Sequence, residues 1–410
     1  MTDTEGSTTP KTAPTRQLPT PPPATPSMPW TVLIALTFAS FATVTMEMLP
    51  SGLLPQIGRG LAVDPALAGT LVTAWALTIV VTGVPLVRVT AGVRRTRLIP
   101  AALGVVAIAG LVTASAPSFG VALAGRVLAA AGHGVFWALI VVHVADTVAP
   151  ERLGRALAIV LSGPTIAGCA GLPVATALVD TVGWRGVFAG ASVVSALVAG
   201  ALVPILADTE TSGPRPRSVI RWDRSAILCL GTALAAALVL VGHFVLFTYV
   251  SLVVTDVAGF DSGAVAAVLV LFGAAGAIGV AISGWLSDRW PSATLPVSAF
   301  AALTAFAMLA AAPAVPAVFV TTIVLWGTVV GVLPAAMQVR VLRLASPEFR
   351  PAAGSVVVTV LNLGIAGGAA LGGLTVGFGV AELAPVAAVV TSVGALCLSL
   401  SARVPARVTE

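Results

Sequence analysis

Long apolar stretches alternate with short polar segments along the chain from residue 30 onward. A helix needs about 20 apolar residues to cross a hydrocarbon core about 30 Å thick. Twelve stretches meet this length, and the pattern therefore predicts an all-α membrane protein with twelve spanning helices. The predicted bounds are 30–52, 66–88, 98–115, 118–146, 155–179, 185–207, 225–254, 262–286, 293–311, 315–337, 352–377 and 383–402.

The polar segments divide these spans into two groups of six. A polar linker, 208–224, separates a predicted N-terminal bundle, 29–207, from a predicted C-terminal bundle, 225–403. Residues 1–28 are rich in Thr and Pro and lack an apolar core, so they are predicted to be a disordered cytoplasmic tail rather than a cleavable signal. A second short tail is predicted at 404–410. Two groups of equal span number predict pseudo-symmetric bundles that rock around a site near the membrane midplane.

Charge placement predicts the orientation of these bundles. Only 9% of the residues are charged, against about 25% in soluble domains. The net charge of +5 does not indicate nucleic-acid binding, because the basic residues cluster at the ends of spans. With both termini cytoplasmic, 18 of the 21 basic residues lie inside, as the positive-inside rule requires. These are Lys11, Arg16, Arg88, Arg94, Arg95, Arg97, Arg152, Arg155, Arg215, Arg217, Arg221, Arg224, Arg289, Arg340, Arg343, Arg350, Arg403 and Arg407.

Several kinds of chemistry are disfavoured by the residue pattern. Cys169, Cys229 and Cys397 lie in apolar runs without disulfide or metal-ligand spacing, and the three histidines are scattered. No phosphate-binding P-loop motif is present. We therefore expect a transporter rather than an enzyme, with no metal and no cofactor, driven by an ion gradient.

The fourth span carries polar side chains at helical spacing. Arg126, His133 and Trp137 fall within about 20° of one face, at about 100° per residue. By helix rise, Arg126 and Glu47 of the first span both lie about 8 to 9 Å from the midplane. Since Glu47 is the one carboxylate well inside a span of the first half, Glu47 and Arg126 are predicted to couple proton movement to transport. A static Glu47–Arg126 pair, or two separate polar pockets, remains an alternative.

Aromatic and polar side chains at similar depth predict a substrate cavity suited to flat or amphiphilic molecules. His133 and His243 are each interpreted either as cavity groups or as residues satisfied by the backbone or by water. The predicted cavity residues are Phe41, Thr43, His133, Trp137, His243, Phe247 and Trp326.

Five motifs resemble those of the major facilitator superfamily. "GWLSDRW" (284–290) is similar to its loop motif, and "LAGRVLAAAGHG" (123–134) to its fourth-span motif, with Arg126 in the arginine slot. "SGPTIAGCAGLP" (162–173) resembles the fifth-span motif of its drug/proton antiporters. "MEMLPSGLLPQI" (46–57) and "GWRGVF" (183–188) resemble the branch with chloramphenicol-resistance and arabinose-efflux permeases.

The resemblance implies gating roles for the motif residues. These are Gly284, Asp288 and Arg289 after the eighth span, and Gly163, Pro164 and Gly168 in the fifth span. The loop after the second span lacks the family's Asp, so Asp146 is predicted to close this side instead, opposite Arg94 and Arg95; the alternative is a solvated helix end. Asp288 and Arg289, with Arg340 or Arg343, are predicted to do the same in the second half.

The function that the sequence predicts is proton-coupled secondary active efflux of a drug, antibiotic or metabolite by alternating access. The alternatives are a sugar or nucleoside efflux permease, or a facilitator without proton coupling. The expected partners are a small-molecule substrate, protons and the lipid bilayer, without nucleic acid. We expect a monomer in the cytoplasmic membrane of a bacterium, with both termini cytoplasmic.

Overall fold

The computed structural model describes residues 2, 28–149, 152–207, 209 and 222–403. The predicted tails and most of the predicted linker lie outside these residues, so the domain bounds stay predictions. The basic residues Lys11, Arg16, Arg215, Arg217, Arg221 and Arg407 also lie outside them. The regular elements of the described part are helical, without a strand.

Eleven helices of the described part are long and apolar enough to cross a membrane. One of them, Leu153–Ala207, has 55 residues, more than twice the length that one crossing needs. It is broken at Gly183, whose φ of 70° and ψ of 164° lie in a region that is essentially restricted to glycine. The break separates the predicted fifth and sixth spans, so each predicted span has a counterpart in the structure.

The twelve spans are numbered here α1 to α12. The N-terminal bundle contains α1 (Trp30–Leu61), α2 (Pro65–Val89), α3 (Arg95–Ala114), α4 (Phe119–Thr147), α5 (153–182) and α6 (184–207). The C-terminal bundle contains α7 (Arg224–Phe247), α8 (Ala264–Arg289), α9 (Thr294–Ala311), α10 (Pro316–Leu344), α11 (Arg350–Val376) and α12 (Leu383–Ser401). A π-helical turn, Ala167–Gly171, lies inside α5, and a helical turn, Val250–Leu252, and a π-helical turn, Val253–Val257, follow α7.

Four predicted helix ends are wrong, and one of them is that of the seventh span, because α7 ends at Phe247 rather than at 254. The first span does not end at 52, because α1 continues through Pro50 and Pro55 to Leu61; proline is tolerated in membrane helices where neighbouring groups bond the freed carbonyls. The motif 284–290 is not a loop, since Gly284, Asp288 and Arg289 lie in the last turns of α8. Helix α10 extends seven residues past the predicted end at 337, to Leu344.

Two buried hydrophobic clusters confirm the two-bundle fold class. One is built from α1 to α6 and includes Leu33, Met46 and Phe136. The other is built mainly from α7 to α12, and Leu54, Ala68 and Leu172 of the N-terminal bundle join it. The two bundles therefore pack against each other where α1 ends and α2 begins, which we call the α1–α2 end; the opposite side is the α2–α3 end.

Tyr249 closes the contact between the bundles at the α1–α2 end. Its side chain is fully buried, and its hydroxyl donates to the carbonyl oxygen of Ala369 at 3.4 Å. A Cβ on Gly69 of α2 would lie 2.6 Å from Cζ of this ring, and one on Gly372 of α11 would lie 2.7 Å from its Cε2. The only tyrosine of the chain thus occupies a slot that glycines of both bundles leave open.

Helix α2 is less buried toward the α2–α3 end. No described side chain of α2 between 81 and 89 is buried, and a Cβ on Gly83 would meet nothing within 4 Å. Near mid-helix, α5 and α8 still touch, because a Cβ on Gly273 would lie 2.6 Å from the carbonyl oxygen of Gly168. The contacts between the bundles described here thus lie at the α1–α2 end and near mid-helix.

Candidate substrate and proton-coupling site

Helix α4 presents its functional side chains on one face because small residues occupy another. A Cβ on Gly125 would lie 2.9 Å from the carbonyl oxygen of Ala109, and one on Gly132 would lie 2.8 Å from that of Ala102. These two glycines bring α4 against α3, as small residues do in membrane interfaces. Arg126 and His133, each directly after one of them, are turned toward α1 and α2.

Both terminal nitrogens of the Arg126 guanidinium donate to main-chain oxygens of α1, whereas its buried Nε has no hydrogen-bond partner among the described residues. Arg126 is 1% exposed, and its guanidinium donates to the carbonyls of Met46 at 2.7 Å and Glu47 at 2.8 Å. In a regular helix the Met46 carbonyl would accept from residue 50, but Pro50 has no N–H. The proline therefore frees an acceptor for the buried arginine. The Arg126 Cζ also lies 4.0 Å from the ring centre of Trp75 in α2, a cation–π contact.

The Glu47 carboxylate faces His133. Its Oε2 lies 3.5 Å from His133 Nε2, and 22% of the Glu47 side chain is exposed. His133 Nδ1 lies 3.0 Å from the Thr43 hydroxyl, one helical turn before Glu47 on α1. Since a hydroxyl both donates and accepts, Thr43 is compatible with either tautomer and with the protonated ring. The imidazole thus connects a hydroxyl to a carboxylate beside a buried cation.

The structure brings these five side chains together, and we call them the α1–α4 cluster. They are Thr43, Glu47, Trp75, Arg126 and His133. Trp137 lies next to them, with its ring centre 6.1 Å from that of His133. Half-buried Phe41 lies beside Gly171 of α5, where a Cβ would come within 3.2 Å of its ring. Sequence reasoning missed Trp75, because a lone aromatic in an apolar helix carries no sign of its partner.

The second group of predicted cavity residues meets in the C-terminal bundle. Trp326 Nε1 donates to His243 Nδ1 at 2.9 Å. The Phe247 ring centre lies 5.0 Å from that of His243, and Phe272 of α8 stacks parallel to the imidazole at 6.1 Å. His243, Phe247, Phe272 and Trp326 form the α7–α10 cluster. Phe272 was not predicted.

Close backbone packing positions this second cluster. A Cβ on Gly327, directly after Trp326, would lie 2.5 Å from the carbonyl oxygen of Phe272. Because Gly327 has no side chain, α10 approaches α8 closely. This contact places the Trp326 ring edge-on to Phe272 with ring centres 4.9 Å apart. Trp326 is fully buried and His243 is 4% exposed. The cluster is therefore buried, with apolar surroundings.

The predicted charge pairs form at the α2–α3 end, each within one bundle. Arg95 at the start of α3 donates to the Asp146 carboxylate at the end of α4. In the second half, Arg343 of α10 donates to Asp288 of α8 at 2.7 Å and to the Ser287 carbonyl, also at 2.7 Å. Arg94 immediately precedes α3, and Arg289 lies 5.8 Å from the Trp290 ring centre. Neither of these two described pairs joins the two bundles.

The fifth-span motif lies against α1. A Cβ on Gly163 would come within 2.6 Å of the Thr37 carbonyl oxygen, so this glycine is required for contact. Pro164 follows it inside α5, and Gly168 lies in the π-helical turn, against α8. Gly284 of α8 has open space around it, so its packing does not require glycine.

A cavity of about 330 Å³ lies between the bundles at the α1–α2 end. Gln56, Arg59, Asp180, Ser251 and Asp256 line it. The hydroxyl of Ser251 and the Oε1 of Gln56 have no hydrogen-bond partner among the described residues. The sequence analysis did not find this polar chamber, because its residues come from the ends of helices distant in sequence.

Comparison with known proteins identifies the family. The profile of the Major Facilitator Superfamily matches residues 36–369. The chain belongs to the Major Facilitator Superfamily. Its Major Facilitator relatives include a chloramphenicol efflux pump of Mycobacterium tuberculosis (strain CDC 1551 / Oshkosh), 36% identical over 377 residues, or 87% of this chain and 89% of the pump. A chloramphenicol resistance protein of Streptomyces lividans is 34% identical over 359 residues, or 86% of this chain and 91% of that protein.

A solved structure of a Major Facilitator-like transporter has the same fold. It is a bacterial homologue of the human lysosomal transporter Spinster, in an inward-facing and unoccupied conformation. The TM-score is 0.75 over 92% of this chain and 97% of that one, with 17% sequence identity. This likeness concerns the fold alone. The family assignment confirms the resemblance drawn from the motifs, and the chain is a multi-pass membrane transporter of small molecules.

Proposed function

We propose that this Major Facilitator protein exports a small organic molecule, such as an antibiotic or a metabolite, in exchange for protons. The names of the Mycobacterium and Streptomyces relatives support efflux and make chloramphenicol the first substrate to test. The proposed energy source is the proton gradient, without a metal or organic cofactor. The proposed location is the cytoplasmic membrane of a bacterium.

The observation that carries proton coupling is the Thr43–His133–Glu47 row beside Arg126. The hydrogen bonds of the guanidinium go to main-chain oxygens, so the Glu47 carboxylate is not held by a direct bond to the arginine. The carboxylate is partly exposed and next to an imidazole that can pass a proton. A charge in a low-dielectric site is sensitive to what enters it. In our proposal, Glu47 takes up and releases the transported proton.

The proposed orientation places the α2–α3 end in the cytoplasm. The described basic residues Arg88, Arg94, Arg95 and Arg97 lie at that end, as the positive-inside rule requires of a cytoplasmic loop. Substrate then enters from the α2–α3 end, and the Tyr249 contact closes the outside. The polar chamber near Asp180 and Asp256 lies on the proposed exit route.

The proposed gating groups act by rocking one bundle against the other. The Arg95–Asp146 and Arg343–Asp288 pairs stiffen the cytoplasmic ends of their own bundles. Gly163, Pro164 and Gly168 allow α5 to bend while it stays in contact with α1 and α8. The central side chains named above belong to one chain, so we propose that a monomer transports.

The test is transport by the purified protein in proteoliposomes with a pH gradient and a pH-sensitive dye. We expect chloramphenicol movement to collapse with the gradient and to drive proton flux in the opposite direction. Chloramphenicol movement that ignores the gradient would instead support an uncoupled facilitator. Proton flux driven only by a sugar or a nucleoside would replace the drug-efflux proposal with a different permease.

A further inference from the structure

The Trp326–His243 hydrogen bond determines which nitrogen of the imidazole carries its proton. An indole N–H donates and does not accept, so His243 Nδ1, 2.9 Å away, is the acceptor. The neutral ring therefore has its proton on Nε2. A doubly protonated ring would place one N–H against another, so the same contact disfavours the charged form.

The neighbouring side chains leave this Nε2–H as the polar feature of the cluster. Rings of Phe244, Phe247 and Phe272 surround the imidazole with centres 4.4 to 6.1 Å away. Nε2 has no hydrogen-bond partner among the described residues. The carboxylates of the C-terminal bundle all lie at helix ends or in connections, at Asp223, Asp256, Asp261, Asp288, Glu348 and Glu382.

These surroundings select for one class of ligand. A cation would face the positive end of an N–H dipole, and the spans of the C-terminal bundle bring no carboxylate to it. An anion would lose its hydration without a charged partner, which is costly in an apolar site. An uncharged aromatic molecule packs against phenyl rings and offers an oxygen to the N–H.

We propose that His243 determines substrate specificity and that Trp326 is its positioning residue. Together they select uncharged aromatic substrates that carry an acceptor oxygen, such as a nitro or carbonyl group. This inference rests on the proposed export function and names a substrate class for the same transporter. His133 lacks this fixed tautomer, because its partner at Nδ1 is a hydroxyl that donates or accepts.

The experiment measures binding to purified protein in nanodiscs by equilibrium dialysis, without any gradient. The probes are chloramphenicol, an uncharged nitroaromatic, and ethidium, a planar aromatic cation. Trp326→Phe keeps a ring but removes the donor, and we expect chloramphenicol affinity to fall roughly threefold to tenfold, while ethidium affinity falls less. The chloramphenicol affinity of His243→Leu should fall at least as far. His243→Gln keeps an acceptor and an N–H donor, so its affinity should be partly restored.

A spectroscopic readout separates positioning from mere packing. The protein has three histidines, so ¹⁵N-histidine spectra are simple. His243 should show one neutral tautomer with the proton on Nε2, and Trp326→Phe should convert it to a mixture. The matched control is Trp184→Phe, since Trp184 is also buried but packs on Phe188 in α6; it should leave tautomer and selectivity unchanged.

Three outcomes would overturn the inference. The first is that the wild-type protein prefers ethidium or binds neither probe. The second is that Trp326→Phe keeps the wild-type tautomer and selectivity. The third is that Trp326→Phe loses affinity for both probes equally. Failure of the proposed function looks different: the wild type would bind chloramphenicol selectively in nanodiscs but fail to exchange it for protons in proteoliposomes.

Discussion

The two central clusters have the same framework and opposite chemistry. In each bundle an imidazole joins the first helix to the fourth, through Thr43 and His133 in α1 and α4 and through His243 and Trp326 in α7 and α10. In each, an aromatic ring from the second helix packs edge-on against the fourth-helix side chain: Trp75 against His133, and Phe272 against Trp326. The two bundles therefore share the geometry of these contacts but not the residues that form them.

The spacing along the helices shows which positions of the two bundles correspond to each other. Glu47 follows Thr43 by four residues, and Phe247 follows His243 by four. Arg126 precedes His133 by seven, and Phe319 precedes Trp326 by seven. The charged residues Glu47 and Arg126 of the N-terminal bundle thus correspond to the buried phenyl rings of Phe247 and Phe319 in the C-terminal bundle. The difference suggests a division of work, with coupling in one bundle and recognition in the other.

Glu47→Gln should impair coupled transport more than any other substitution in this series. The amide keeps the size of the side chain but cannot take up or release a proton, so we expect gradient-driven export to fall at least about a hundredfold, the scale of a lost general acid–base group. Chloramphenicol binding in nanodiscs should change by less than about threefold. Glu382→Gln, at an exposed glutamate between α11 and α12, is the control and should transport normally. Undiminished gradient-driven efflux from Glu47→Gln would contradict coupling through this residue.

Arg126→Lys should have the next largest effect. An ammonium group cannot donate to both carbonyls and lie flat on Trp75 as the guanidinium does, so the Met46 or Glu47 carbonyl loses its donor. We expect transport to fall about tenfold, measured as initial rate in proteoliposomes, from a loss of about 1–2 kcal/mol.

The C-terminal counterpart of this change is Phe319→Leu. It should lower thermal stability through lost packing, without changing the number of protons exchanged per substrate. If Phe319→Leu uncouples transport as Arg126→Lys does, the bundles do not divide the work.

Helical periodicity was enough to predict which side chains share a helix face. The repeat of apolar stretches gave the span count, and the spacing of Arg126, His133 and Trp137 gave a stripe that the structure confirms as one cluster edge. His243, Phe247 and Trp326 were chosen by depth, and the structure brings them together. Periodicity works for these residues because a helix in a membrane is regular over its whole length.

Partners across helices could not be predicted in the same way. The position of the Arg126 guanidinium depends on the carbonyl that Pro50 frees, which is a property of α1 and not of α4. Phe272 meets Trp326 because Gly327 lets two backbones approach, and spacing within α8 carries no trace of it. Such contacts come from the packing of helices that are distant in sequence.

Gly69→Ala should have an intermediate effect, on the joint between the bundles. A Cβ at this position would fall against the Tyr249 ring and hydroxyl, so the closed α1–α2 end would be strained. We expect a cysteine placed in the polar chamber, at Ser251, to react several-fold faster with a membrane-impermeant maleimide added from outside. Gly83→Ala on the same helix, where a Cβ meets nothing, is the control. Equal labelling of both variants would argue against Tyr249 as the closing contact.

The two charge pairs at the α2–α3 end should give the smallest effects, and unequal ones. The Asp288 side chain is 77% exposed, whereas that of Asp146 is 0% exposed, so solvent screens only the second-half pair strongly. Asp288→Asn should therefore change the free energy of unfolding by less than about 1 kcal/mol. Asp146→Asn should cost about 1–3 kcal/mol, because it leaves the half-buried Arg95 without its charged acceptor.

Both variants should slow transport slightly and leave chloramphenicol affinity unchanged, since the pairs lie at the ends of helices. Thermal unfolding in detergent and initial transport rates measure the two effects separately. A large loss of binding in Asp288→Asn would show that the second-half pair supports the substrate site. A greater loss of stability in Asp288→Asn than in Asp146→Asn would show that burial does not decide which pair matters.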